Sequence, residues 1–331
     1  MKIYAIDTHV FAKAGYDFSL YREVIEAAGY EFIMETCQNE EEVVQRCADA
    51  DAIINTYVKM TAKSMSRLKN CKVMVRTGVG YDSFDVDDAT ALGIKICNVP
   101  TYCTPEVATH TTSLLLAASR NLLLYAMNVR AGEFDKTDGK NFPVMRRPSA
   151  CTVGLVGFGR ISRLVAKQLK GIDYNVIAFD PYLDEALFAE MGVKKVDLNE
   201  LFAVSDMICT LTPYTRETHH IIDATAIEKM KDGVILVNTA RGPLIDEAAL
   251  IAGLKRGKVA AAGLDVFETE PFDDPNHPLC RMDNVILTPH AAYRTAESSR
   301  ELLRQAAQTA VDILQGKDVP NIVNKAALSA K

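Results

Sequence analysis

Short runs of branched apolar residues alternate with segments of helical period along nearly the whole chain, the pattern of parallel βα units. In the first hundred residues "KIYAID", "EFIME", "DAIINT", "KVMVRT" and "IKICNVP" predict strands. Between them "LYREVIEAAG", "EEEVVQRCA", "AKSMSRLKN" and "VDDATALG" predict helices. A second series starts at "TVGLVG" and continues through "YNVIAFD", "KKVD", "MICTLT", "GVILVNT", "AAAGLDV" and "NVILTP". The expectation is an α/β chain with two doubly wound parallel sheets. The apolar segment 104–132, opened by Thr104 and Pro105, reads as one long buried helix. The polar stretch 133–150 reads as a loop, and residues 296–315 as a last, amphipathic helix before a short tail.

Composition narrows the functional classes. A length of 331 residues suits two domains, with 48% hydrophobic and 24% charged residues. A net charge of −6 argues against a nucleic-acid surface, which needs clustered Lys and Arg. No segment approaches the roughly 18 uninterrupted apolar residues of a membrane span. The opening "MKIYAID" enters a strand directly, without a signal peptide, so a cytoplasmic location is expected. Eight cysteines show neither CxxC spacing nor metal-like clustering and read as free thiols in a reducing compartment. No metal site is expected.

The first candidate chemistry lies in "TVGLVGFGRISRLVAKQL". Gly157 and Gly159 follow a strand and precede a helix, where a tight turn lets a pyrophosphate approach the helix N-terminus. The third position of GxGxxG holds Ser162 instead of glycine, a departure at the site of close helix–strand packing. Asp180 ends the next strand in "NVIAFDPY", placed to accept hydrogen bonds from a ribose and to repel a 2′-phosphate. Pro181, Tyr182 and Leu183 supply no cation, so NAD(H) is favoured over NADP(H).

Three further strand ends carry polar residues. In "VILVNTARGPLIDEAAL" a fully apolar strand runs into Arg241, followed at once by Gly242 and Pro243. In "AAAGLDVFETEP" Asp265 closes a strand and Glu270 follows; in "NVILTPHAAY" His290 follows a strand and a proline. Open α/β sheets bind ligands outside the carboxyl ends of their strands. Hydride transfer to a 2-oxo acid needs this set of groups. A guanidinium fork holds the carboxylate and polarises the carbonyl, an imidazole exchanges the proton, and a carboxylate beside the imidazole favours its charged form. Singly, Arg241, Glu270 and His290 read equally well as a surface ion-pair partner, a solvated acid and a capping residue; together at strand ends they read as a site.

These motifs, with "VRTGVGYDSFD", "LVNTARGPLIDE", "GLDVFETEP" and "LTPHAAY", resemble those of the NAD-dependent D-isomer-specific 2-hydroxyacid dehydrogenases over essentially the whole chain. "ICNVP", "FDPYL", "HHII" and "PHAAY" are most similar to the C-terminal-binding-protein-like branch. The resemblance implies a catalytic triad of Arg241, Glu270 and His290, and two Rossmann/flavodoxin-like domains. A dinucleotide domain at 102–293 would be inserted into a substrate domain at 1–101 and 294–331, with hinges near Pro100 and Tyr293. It implies that Val79 and Gly80 offer backbone N–H groups to the substrate carboxylate, and that Arg160 and Ile161 flank the pyrophosphate. Thr212, Pro213 and Thr218 would line the cofactor, and Thr239 and Asp265 would lie near the nicotinamide, Asp265 at its carboxamide. Homodimers built on the helix after Thr104 are usual in the family. Departures are Ser162, Thr109 where many members have an acid, the missing glycine in "PSACTVG", and Tyr293 where the corepressor members have tryptophan, a change expected to reshape the substrate side-chain pocket. Two rival readings stay open. One is an NAD(H)-sensing, corepressor-like module. The other is a phosphoglycerate-type dehydrogenase, with Lys59, Arg76, Arg146 and Arg147 as candidate extra cations.

Overall fold

The computed structural model describes residues 1–13, 15–134 and 144–329. The expected loop at 133–150 lies partly outside the described residues; within them, Pro148–Ala150 forms one 3₁₀ turn. The chain divides into two compact units, Met1–Cys103 with Arg294–Lys331, and Thr104–Tyr293.

The discontinuous unit contains β1 (Lys2–Asp7), β2 (Glu31–Thr36), β3 (Ala52–Asn55), β4 (Val73–Arg76) and β5 (Lys95–Cys97). They form one sheet in the order β2-β1-β3-β4-β5, with every pairing parallel. Every residue of β3 is buried, as a strand covered on both faces must be. The helix Ser19–Ala27 turns Leu20, Tyr21 and Ile25 inward. The last helix, Ala296–Leu314, begins at a Thr295–Ser298 capping box and lies along β3 and β4. What the sequence presents as a tail is stitched to the sheet edge. Val323 N–H donates to the Ile96 carbonyl at 2.8 Å, and Asn324 accepts from Ile96 N–H at 3.0 Å and donates to the Ile94 carbonyl at 2.9 Å.

The second unit contains β6 (Thr152–Val156), β7 (Asn175–Phe179), β8 (Lys194–Lys195), β9 (Met207–Thr210), β10 (Val234–Asn238), β11 (Val259–Leu264) and β12 (Val285–Leu287). Their order is β12-β11-β10-β9-β6-β7-β8, again all parallel. The chain runs outward from β6 to β8, then returns to β9 on the other side of β6. That reversal makes a crevice at the carboxyl edge beside β6. Among the described residues no helix is long and apolar enough to cross a membrane.

The segment expected as one long helix is two. Thr104–Ser119 buries Val107, Ala108, Leu114 and Leu115 and lies against β10 and β11. Asn121 then adopts a left-handed conformation at φ +53°, which a helix cannot continue through. Leu122–Arg130 follows as a separate helix with no buried residue.

Candidate active site

The turn after β6 is tight and leads straight into a helix. Gly157 has φ +92°, and a Cβ there would come within 2.9 Å of the Leu211 carbonyl oxygen, so only glycine fits. This close approach sets the 157–159 turn against the loop after β9, where Thr212 and Pro213 lie. A Cβ on Gly159, by contrast, would meet nothing within 4 Å. Gly159 caps the helix Arg160–Lys170, whose first N–H groups and positive dipole end face that open side. Arg160 is exposed there and Ile161 half-buried. Ser162 is completely buried, and its hydroxyl donates to the Gly157 carbonyl at 2.6 Å. The departure from glycine is thus absorbed by the turn itself.

Asp180 ends β7 and folds back on the turn, its carboxylate accepting from Phe158 N–H at 2.9 Å and from Tyr182 N–H at 3.0 Å. A carboxylate offers about four acceptor directions, so it retains capacity for a diol. Across the crevice, Thr218 donates to the Pro213 carbonyl at 2.7 Å and accepts from Thr215 N–H at 2.7 Å, fixing the loop's shape.

At the ends of β10, β11 and β12 the three chemistry-bearing residues come together. Arg241 is half-buried; its guanidinium donates to the Ala240 carbonyl at 2.7 Å, and Asn238 holds the turn by donating to the Arg241 carbonyl at 2.8 Å. The next residue explains why this turn lies where it does. A Cβ on Gly242 would come within 1.8 Å of the Phe267 carbonyl oxygen, so the Arg241 turn can press onto the loop that carries Glu270 only because residue 242 is glycine. Glu270 accepts from Phe267 N–H at 3.1 Å and bonds His290 Nδ1 at 2.7 Å. Burial pushes the Glu270 carboxyl up, but the His290 hydrogen bond and charge, the Phe267 N–H and the Arg241 charge together outweigh it. Glu270 therefore stays below the ordinary carboxylate range and is ionised at neutral pH. Tyr293 meets the His290 ring edge-on at 6.2 Å.

His290 itself sits at φ +50°, a strained conformation for a side-chain-bearing residue. Its N–H donates to the main-chain carbonyl of Asp265 at 2.8 Å. Asp265, expected near the nicotinamide, is engaged by its own chain. It is completely buried, and its carboxylate accepts from the Thr288 hydroxyl at 2.5 Å and from Ala291 and Ala292 N–H, each at 2.9 Å. Thr239 is also buried, its hydroxyl 2.6 Å from that of Thr111. Val79 and Gly80 follow β4 in the other unit; Val79 is exposed, and its carbonyl accepts from Asn98 at 2.6 Å.

Three participants escape the sequence reading: Gly242, His110 and Thr288. His110 Nε2 lies 3.0 Å from Thr288 Oγ1. The available signals were a polar "THTT" inside an apolar helix and a threonine at a strand end before proline. Of the candidate extra cations, Arg146 is spent on Asp206. Seven cysteines are buried free thiols, and Cys280 is exposed. Among the described residues no cluster of three His, Cys, Asp or Glu could hold a metal.

The seven-stranded parallel sheet thus carries a glycine turn, an acid at the end of the next strand and an Arg–Glu–His set at its carboxyl edge. Residues 112–292 match the family model of the D-isomer specific 2-hydroxyacid dehydrogenase, NAD binding domain, and the chain belongs to this family. Its cofactor is NAD. It is 38% identical over 297 residues to a D-3-phosphoglycerate dehydrogenase of Archaeoglobus fulgidus, covering 89% of this chain but 55% of that protein. It is 36% identical to a glyoxylate reductase of Thermofilum pendens, covering 88% of this chain and 87% of that one. The solved glyoxylate reductase from Paecilomyes thermophila superimposes with a TM-score of 0.85 at 30% identity, covering 98% of this chain and 99% of that one. The chain spans little more than half the length of the phosphoglycerate dehydrogenase it matches.

Proposed function

We propose that the protein reversibly reduces a small 2-oxo acid to the D-2-hydroxy acid. The observation that carries this reading is the 2.7 Å contact of His290 Nδ1 with an ionised Glu270, under the charge of Arg241, on the carboxyl edge of the NAD-binding sheet. NADH, when bound, supplies the hydride. Gly157, Gly159, Arg160 and Ile161 would receive its pyrophosphate, Asp180 its ribose, and Thr212, Pro213 and Thr218 its open side. Arg241 binds the substrate carboxylate and polarises the 2-oxo group. Glu270 holds Nδ1, which leaves His290 Nε2 to give its proton to the substrate oxygen in reduction and to take it back in oxidation. Val79 and Gly80 add N–H donors for the carboxylate, a role resting on the family resemblance alone, and Tyr293 borders the substrate side chain.

A substrate bearing a phosphate needs further positive charge. With Arg146 engaged by Asp206, the remaining candidates are Lys59, Arg76 and the exposed Arg147, and a small unphosphorylated acid is the better match. Kinship with the C-terminal-binding-protein-like branch rests on motifs alone, and a module that only senses NAD(H) has no use for an acid–base pair. The helix Leu122–Arg130 exposes Leu122, Leu123, Met127 and Val129, an apolar face that suits self-association into a homodimer; sedimentation of a Leu122→Glu/Val129→Glu variant as a smaller species than the parent tests it.

The deciding experiment is NADH oxidation with glyoxylate, hydroxypyruvate, pyruvate, longer and aromatic 2-oxo acids and phosphohydroxypyruvate, followed by chiral analysis of the product. Turnover of one or more acids to the D product is expected. Tight NADH binding without turnover of any would replace the enzyme with a sensing module.

A further inference from the structure

The helix Thr104–Ser119 sends two consecutive side chains to the strand ends that carry the chemistry: Thr111 to Thr239 beyond β10, and His110 to Thr288 beyond β12. The second contact has a defined polarity. Thr288 gives its only hydroxyl proton to Asp265 Oδ1 at 2.5 Å, so its oxygen can only accept from His110, and Nε2 must carry a hydrogen. His110 Nε2 also lies 3.6 Å from Asp265 Oδ1. Asp265 is the hub of this end of the sheet. Its two carboxylate oxygens hold the N–H groups of Ala291 and Ala292, its main-chain carbonyl holds that of His290, and no part of it is exposed.

A buried carboxylate is costly unless donors surround it, and a left-handed histidine persists only when its neighbours over-determine it. We propose that His110 is a positioning residue for His290: through Thr288 it completes the donor set of Asp265, and Asp265 fixes the strained turn from which the His290 imidazole projects. The inference rests on the reading of His290 as the acid–base group. It gives the helix a part in setting the reacting geometry, beyond the spine suggested by its apolar composition.

The test uses the full chain with NADH and compares His110→Ala, His110→Gln, Thr288→Val and the pair His110→Ala/Thr288→Val. Loss of one hydrogen bond to a charged network predicts a fall in kcat of about tenfold to a hundredfold in His110→Ala, with NADH affinity and thermal midpoint near the parent's. The glutamine amide can donate from a similar position, so His110→Gln should recover most of the rate. Members of one chain of bonds are non-additive, so the double variant should be no slower than the slower single. Imidazole ¹⁵N spectra should show hydrogen on His110 Nε2 and a displaced His290 ring signal in Thr288→Val. Parent-like kcat in His110→Ala, no rescue by glutamine, or multiplied losses in the pair would overturn the proposal. If the parent reduces no 2-oxo acid, the proposed reaction falls, and the spectra alone decide the link. His290 signals indifferent to His110→Ala and Thr288→Val would then refute it.

Discussion

At the carboxyl edge of the seven-stranded sheet, polar side chains are held by other groups of the same chain. His290 is held by Glu270, Glu270 by Phe267 N–H, and Asp265 by three donors. The carboxyl edge of the five-stranded sheet is made differently. At the end of β1, Asp7 folds inward to accept from Phe11 and Ala12 N–H. What remains outward is largely ring face and glycine loop. Tyr57 is 42% exposed, with Arg76 over its ring at 4.7 Å and Phe11 edge-on at 6.0 Å; Val79 and Tyr81 are exposed beside Gly80. One edge spends its hydrogen bonds on fixing directions, as acid–base chemistry requires. The other presents faces that can change with little consequence for the fold, as recognition of variable side chains allows.

The sharpest way to break this contrast is His290→Ala. Removing the proposed acid–base group should cost about 10²–10⁴ in kcat while NADH binding, followed by fluorescence titration, stays close to the parent's. Equal losses in both would mean that the imidazole supports the cofactor cradle instead of the proton transfer. Gly242→Ala should come next, although it removes no functional group. Its new methyl collides with the Phe267 carbonyl, so the Arg241 turn and the Glu270 loop must separate. Overpacking of this kind costs about 1–3 kcal/mol, and a visible fall in both thermal midpoint and kcat is expected. Parent-like activity in a stable Gly242→Ala protein would show that the two loops need not touch.

Glu270→Gln probes the same edge more gently. It keeps an acceptor for His290 but removes the carboxylate charge beside the imidazole, so kcat for reduction should drop. The stability effect has a fixed sign. The Glu270 carboxyl lies below its ordinary value in the fold, so its contribution is present above the unfolded carboxylate range and is lost as pH falls through the folded value. Denaturant titrations should therefore show the parent more stable than Glu270→Gln at neutral pH, with the gap closing in acid. A gap that widens in acid would contradict the direction of the shift.

The sequence makes some of this legible and hides the rest for physical reasons. Alternation of short apolar runs with segments of period 3.6 reveals the βα units, because the central strands are buried on both faces and the helices packed on them on one. Gly157, Gly159 and Asp180 are readable because local chain geometry alone sets their spacing. Arg241, Glu270 and His290 stand out as polar residues at apolar strand ends. Gly242 is silent because the atom it avoids, the Phe267 carbonyl oxygen, is remote in sequence. The burial of Asp265 is not readable, because a strand-end position leaves its direction open. His110 hides for a similar reason: its partner lies 178 positions away, joined to it only by the lie of a helix across the sheet. The helix break at Asn121 rests on one left-handed residue inside an apolar run, which periodicity does not register.

The smallest expected effect tests the other half of the comparison. Tyr57→Ala removes the ring under Arg76 and beside Phe11, yet the ring is exposed and the cation–π contact is worth about 0.5–1 kcal/mol at such a site, so the thermal midpoint should move little. If the outward rings of this edge choose among substrates, the ratio of kcat/KM for glyoxylate to that for an aromatic 2-oxo acid should change by about tenfold, the usual reach of one pocket contact. kcat for the preferred acid should stay within about threefold of the parent's, because no group in the Arg241–Glu270–His290 set has changed. A ratio that does not move would take the aromatic face of the five-stranded unit out of substrate selection. A ratio that moves together with a large loss of kcat would mean that the two edges do not divide recognition from chemistry.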